Sequence, residues 1–277
     1  MARYCRGVKV GATVKRFTLF AFIALWLNAQ VFADTEYFII QEKDRILKLE
    51  GDCTKRHSPG STFKIAISLM GYNEGLLTDE THPEWEFKPG YVDWIETWKQ
   101  PHHPTHWIKN SCVWYSQVIT NKLGLEKFKS YVAKLNYGNQ DVSGDKGKDN
   151  GLTHSWLSSS LQISGVEQIA FLQKLIADSL PMSPKSHRMT KNILFVEELP
   201  NGWNLYGKRA GGYLLNKDGS YNKDRQIGWF IGWIEKEDRK IVFAHYIEDN
   251  QKVDSSAGKR AKEMAKEKVL EVIKILK

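Results

Sequence analysis

Cysteine is scarce. The 277 residues hold three, and only Cys53 and Cys112 lie beyond the N-terminal segment. Two thiols make no disulfide framework, and neither has a histidine at metal-ligand spacing, so both are expected to be buried and unpaired. His102, His103 and His106 fall close together, but no cysteine or carboxylate completes a set, and no metal is expected. The chain carries a formal charge of +8, yet it has no basic block with interleaved aromatics, which removes the usual signature of a nucleic-acid binder. No membrane-spanning apolar run follows residue 33, and there are no internal repeats.

The N-terminus explains most of the charge. Arg3, Arg6, Lys9, Lys15 and Arg16 precede the apolar segment 17–26, small residues follow at Ala29 and Ala33, and no acid occurs before Asp34. This is the pattern of a secretory signal peptide cut after Ala33, with Val31 and Ala33 at the −3 and −1 positions. The apolar segment is too short to span a bilayer comfortably, so no stable membrane anchor is expected. The five basic residues leave with it. Residues 34–277 are long enough to bury one full core and are read as a single exported domain.

One stretch organises the rest, Ser58-Pro59-Gly60-Ser61-Thr62-Phe63-Lys64, followed by apolar Ile65, Ile67, Leu69 and Met70. Pro59 and Gly60 break what precedes them, and the apolar run predicts a buried helix. Ser61 then lies in its first turn, where backbone N–H groups are unpaired, and Lys64 lies one turn on along the same face. A serine hydroxyl needs a base to become a nucleophile, and a lysine in apolar surroundings can shed its charge and help. Ser-x-x-Lys alone also describes many ordinary helices.

The remaining chain predicts strands at 37–40 and 46–49, a helix from Ser61 to about Gly75, and irregular surface structure over 81–105. Helices are expected over 108–123, 125–135, 166–177 and from Pro184 to about Phe195, with Ser164 and Glu167 forming a capping box. Strands follow at 203–208, 227–234 and 240–246, then an amphipathic helix through Ala261, Ala265, Val269, Val272 and Leu276. The order predicts an α+β domain with an antiparallel sheet, flanking terminal helices and a helical insertion.

Ser61-Thr62-Phe63-Lys64 also has company: Ser111-Cys112-Val113, Tyr137-Gly138-Asn139, Trp156-Leu157, Gly207-Lys208 and Gly228-Trp229-Phe230. In this order and spacing the whole chain after the leader resembles the class D β-lactamases, the oxacillinase-type serine enzymes. The resemblance implies a periplasmic hydrolase, monomer or homodimer, acting on β-lactams through an acyl-enzyme on Ser61. It implies that Lys64 carries a carbamate derived from carbon dioxide or bicarbonate and acts as general base, with no other cofactor. The Trp156 indole would hold that carbamate, Ser111 would relay a proton to the leaving nitrogen with Lys208 across the cleft, and Val113 would wall the modified lysine. Cys112 should point into its own helix's packing, and Tyr137-Gly138-Asn139 should play a structural part.

One motif departs from the family. Its late strand reads Lys-Thr-Gly or Lys-Ser-Gly, whereas this chain has Lys208-Arg209-Ala210-Gly211. Lys208 aligned with the family's lysine puts Arg209 and Ala210 in the substrate-binding positions and gives the N–H of Gly211 to the oxyanion hole beside that of Ser61. A register slipped by one residue would put Arg209 in the lysine's role. The bulk of Arg209 and the extra methyl of Ala210 are expected to obstruct the cleft and weaken hydrolysis. Arg260 is a candidate for binding the substrate carboxylate, without a local pattern to support it. Two other readings stay open: a penicillin-recognising sensor that acylates without turnover, and a cell-wall D,D-peptidase.

Overall fold

A computed structural model describes residues 33–276, so all but the last residue of the expected leader lies outside the described residues. Strand β1 (Ala33–Glu42) turns through Lys43-Asp44 into β2 (Arg45–Glu50), with Glu42 opposite Arg45. The chain then runs through a short 3₁₀ turn (Gly60–Phe63) into α1 (Lys64–Asn73). The helical middle comprises α2 (Pro104–Asn110), α3 (Val113–Leu123), α4 (Leu125–Lys134), the single turn α5 (Gly151–His154), α6 (Gly165–Ile176) and α7 (Pro184–Asn192). Strands β3 (Phe195–Leu199), β4 (Trp203–Leu215), β5 (Tyr221–Lys236) and β6 (Arg239–Asp249) and helix α8 (Ala257–Ile275) complete it. All neighbouring strands pair antiparallel in the order β2-β1-β6-β5-β4-β3, so the sheet is α+β as expected. An N-terminal flanking helix is not among the described residues.

Side-chain alternation along the strands builds two cores from one sheet. Tyr37 and Ile39 face the helical middle, while Phe38 and Ile40 join Phe230, Ala265 and Val269 beneath α8. This is why Tyr37-Phe38-Ile39-Ile40 reads as a continuous apolar run: the strand is covered on both faces. The stripe Ala261, Ala265, Val269 and Val272 of α8 is buried on the sheet as its spacing predicts. The capping box is present, with Ser164 Oγ accepting from the Glu167 N–H and the Glu167 carboxylate accepting from the Ser164 N–H.

Three boundaries differ from the sequence reading. The helix expected over 108–123 is broken: α2 ends at Asn110, Ser111 takes a left-handed conformation (φ 59°, ψ 29°), and α3 starts at Val113. No Gly or Pro marks that break. Strand β3 pairs with the start of β4 where the polar helix was expected to end, and β4 runs seven residues beyond Lys208. The segment 81–105 is irregular as expected, but it is anchored inward: Trp98 Nε1 donates to the Asn110 carbonyl (2.9 Å) and Trp114 Nε1 to the Trp98 carbonyl (2.8 Å).

Candidate active site

Ser61 stands at the entry to α1 because Gly60 adopts φ 51° and lets the chain turn sharply; a Cβ there would lie 3.1 Å from the Ala210 Cβ. The turn is fastened from below. Thr62 Oγ1 donates to the Pro59 carbonyl (2.7 Å), and the buried amide of Gln168 donates to Thr62 Oγ1 (3.2 Å) and to the Tyr137 hydroxyl (3.4 Å). Gly138, at φ 55°, passes so close to the Gln162 carbonyl that no side chain would fit, and Asn139 binds the backbone at Ser160 and Gln162. Tyr137-Gly138-Asn139 is thus a brace under the serine turn. From the other side Trp229 Nε1 donates to the Ser58 carbonyl (3.0 Å).

One helical turn on, Lys64 Nζ donates to Ser61 Oγ at 3.0 Å. Lys64 is fully buried in a core that includes Phe63, Val113 and Trp156. Burial pulls its pKa down to about 7, against a slight opposing pull from the Cys112 thiol, so a large share of the amine is neutral at physiological pH. Trp156 is fully buried against Phe63 and Phe128, and among the described residues its Nε1–H has no partner. A buried unpaired donor costs about 1–3 kcal/mol, so its retention marks a place where an acceptor belongs.

A second serine–lysine pair faces the first. Lys208 Nζ donates to Ser111 Oγ (2.7 Å) and to the Arg209 carbonyl (3.0 Å). The left-handed turn at Ser111 is what aims this hydroxyl into the cleft between α2 and α3 instead of along a helix surface. Burial, then the charges of Lys64 and Arg209, hold Lys208 well below the ordinary lysine range. Among the described residues no carboxylate pairs with Lys64, Lys208 or Arg209, so nothing acidic at the site offsets their desolvation. Cys53 and Cys112 are free and buried, and burial pushes the Cys112 thiol up to about 12, which makes it inert.

Beyond Tyr206 the outer edge of β4 is no longer covered by β3. The Gly207 N–H points outward to the Leu194 carbonyl (2.9 Å), and the two-residue period turns the N–H groups of Arg209 and Gly211 to the same open edge. The N–H of Gly211 therefore lies on the edge of β4 that β3 leaves uncovered. Side chains alternate: Lys208 and Ala210 face the helical middle, whereas the direction from Gly211 leads to Ser256 and Gly258 at the start of α8. Arg209 shares that α8-side face. The slipped register is corrected, since it is Lys208 that reaches Ser111. Arg260 is committed elsewhere: both its terminal nitrogens bind the buried carboxylate of Asp249.

A cavity of about 560 Å³ opens beside Gly60, lined by Trp94, Leu157, Ala210, Gly211, Tyr213 and Trp229. Sequence reasoning named neither Trp94 nor Tyr213 as site residues, for they come from an irregular segment and from a strand extension that carries no motif. His102, far from being a ligand, is buried with Nδ1 donating to the Gln100 carbonyl (2.8 Å), and among the described residues no group of three or more His, Cys, Asp or Glu could hold a metal.

The profile of the penicillin-binding protein transpeptidase domain matches residues 34–270. The β-lactamase OXA-9 of Klebsiella pneumoniae is 43% identical over 215 residues, covering 77% of this chain and 78% of its own. OXA-1 of Escherichia coli is 39% identical over 214 residues, covering 77% and 74%. Among solved structures, the class D β-lactamase OXA-427 superposes with a TM-score of 0.82 at 41% identity, over 88% of this chain and all of that one. With the paired serine–lysine geometry in place and this likeness running through most of the chain, the protein belongs to the class D β-lactamases, within the penicillin-binding transpeptidase fold.

Proposed function

We propose that the protein hydrolyses β-lactams through an acyl-enzyme on Ser61. The observation that carries this reading is the pairing of Ser61 with a fully buried lysine that can be neutral, together with the indole N–H of Trp156, which packs on the neighbouring Phe63 and has no partner among the described residues. Only a neutral amine adds carbon dioxide, and a carbamate on Lys64 would supply a general base. The residues fit such a group: among the described residues no carboxylate competes for the site, and Trp156 Nε1 is a donor-only atom suited to an anion. Ser61 Oγ, relieved of its proton on the Lys64 side, attacks the lactam carbonyl. The N–H groups of Ser61 and Gly211 receive the developing oxyanion. Ser111 delivers a proton to the leaving nitrogen and is replenished from Lys208, 2.7 Å away. Water then cleaves the ester by the same route.

The reading includes export to the periplasm, with residues 1–33 as a removed leader and 34–277 as the mature domain. Its basis is the N-terminal charge and apolar pattern. Among the described residues no helix is long and apolar enough to cross a membrane. A chromogenic cephalosporin tests the function directly. Many turnovers per protein are expected; a single stoichiometric burst would show a penicillin sensor instead, and no reaction would end both readings.

Arg209 anchors the substrate carboxylate in this scheme, its long side chain reaching from the α8-side face around the edge of β4 that β3 leaves uncovered. It is half-buried, desolvation lowers its pKa, and no ion pair satisfies it among the described residues. It stands one residue from Lys208 on the open edge, and Arg260 is not available to do the work. Arg209→Ala should lower kcat/KM about tenfold, mainly through KM, the scale of one charge-assisted contact. The loss should vanish on a methyl-ester substrate that lacks the carboxylate. A gain in kcat/KM on the free acid would instead restore the obstruction reading.

A further inference from the structure

A second cavity, of about 600 Å³, adjoins the substrate cavity and shares Ser58, Ser158, Tyr213 and Ile227 with it. The partition between them is thin. Ser158, at φ 53°, donates from Oγ to the Tyr213 carbonyl (2.7 Å), and its N–H is held by Ser58 Oγ (2.9 Å). The two chambers differ in chemistry. The first is walled mainly by Trp94, Leu157 and Trp229, with Lys223 its one charged lining residue, whereas the second is walled by Ser159, Ser160 and Gln162, with His57 in its lining. His57 is buried, burial lowers its pKa to about 4 so that it is neutral, and its Nε2 has no partner.

Charge at this second chamber is unbalanced in use. Of the charged residues that line it, Asp145 is bound by Asn150 and Lys148, and Asp218 by the N–H and hydroxyl of Ser220. Among the described residues no carboxylate holds Lys146 or Lys217. Asp218 keeps its charge, so the lining sets three lysines, Lys146, Lys148 and Lys217, against two aspartates, Asp145 and Asp218, and is cationic by one charge over a polar interior.

Substrate direction follows from the site. Ser111 and Lys208 mark the end where the lactam nitrogen leaves, and Gly211 marks the carbonyl. The substituent on the acyl side must therefore run on along β4 toward Gly212 and Tyr213, and so toward Ser158. Resting on the hydrolase reading above, we infer that the second chamber is an extension of the acyl-side subsite. It takes the far end of long side chains that bear an acid, with Lys146 and Lys217 meeting the acid at its rim and the first chamber holding the apolar part.

The test compares two oxyimino cephalosporins that differ only in that arm, one methoxyimino and one carboxyalkyl-oxyimino, on the full mature protein. For K146E/K217E, kcat/KM on the acid-bearing substrate should fall about tenfold, while the methoxyimino substrate changes less than about twofold, as expected for two rim charges acting on one anion. Rising salt should erase the difference in the natural protein. Equal change on both substrates, or none on either, overturns the inference while leaving hydrolysis intact. Failure of the natural protein to turn over either substrate overturns the hydrolase reading and this one with it.

Discussion

Lys64→Met should make the protein more stable and nearly inactive. The folded pKa of Lys64 is about 7 against an ordinary 10.5, so between these values the folded state binds fewer protons than the unfolded chain. The penalty for burying this amine is absent above pH 10.5, grows as pH falls, and is complete below pH 7. A shift of that size corresponds to about 5 kcal/mol, and loss of the Nζ–Ser61 hydrogen bond returns only about 1 kcal/mol. In carbon-dioxide-depleted buffer at pH 6 the variant should melt several degrees higher than the natural protein, and the gain should shrink toward pH 10. A lower melting temperature at pH 6, or a gain independent of pH, would refute this account of Lys64. Turnover should fall by about 10²–10⁴, the usual contribution of a positioned base. Labelled bicarbonate should give a carbamate carbon signal in the natural protein that is lost in Lys64→Met and weakened in Trp156→Phe; an active enzyme without that signal would exclude the carbamate.

Ser61→Ala should remove covalent labelling altogether, with kcat down on the order of 10⁶, as when a nucleophile that acts in a unit is deleted. The site holds two serine–lysine pairs of similar length, 3.0 Å at Ser61 and 2.7 Å at Ser111, so distance does not choose the nucleophile. Position does. Ser61 lies in a first helical turn, where backbone N–H groups are unpaired and favour a developing negative charge, whereas Ser111 caps the end of α2, where carbonyl groups dominate. Ser111→Ala should therefore still acylate, slowly, because only the proton to the leaving nitrogen is lost. Intact-protein mass spectrometry after penicillin exposure separates the two variants. An adduct on Ser61→Ala, or normal labelling rates in Ser111→Ala, would reverse the roles.

The sequence by itself determined the chemistry's parts and most of the local structure. Ser61 and Lys64 are one helical turn apart, so their meeting needs only a helix, and the helix needs only Pro59, Gly60 and the apolar run after them. The same holds for the capping box and the stripe of α8, which rest on spacing within a few residues. Tertiary structure decided whatever depends on partners distant in the chain. The pKa of Lys64 depends on its complete burial in the tertiary structure, and no local pattern measures burial. The break at Ser111 has no local cause in Gly or Pro; the indole of Trp98, from outside the helix, takes the carbonyl of Asn110 at that point. Arg209 was legible as a departure from Lys-Thr-Gly, but its effect was not, because which face a strand residue occupies is set by register against β5 and α8. Arg260 was a plausible anchor until the fold brought buried Asp249 within reach, and a buried carboxylate outcompetes a transient one for the same guanidinium.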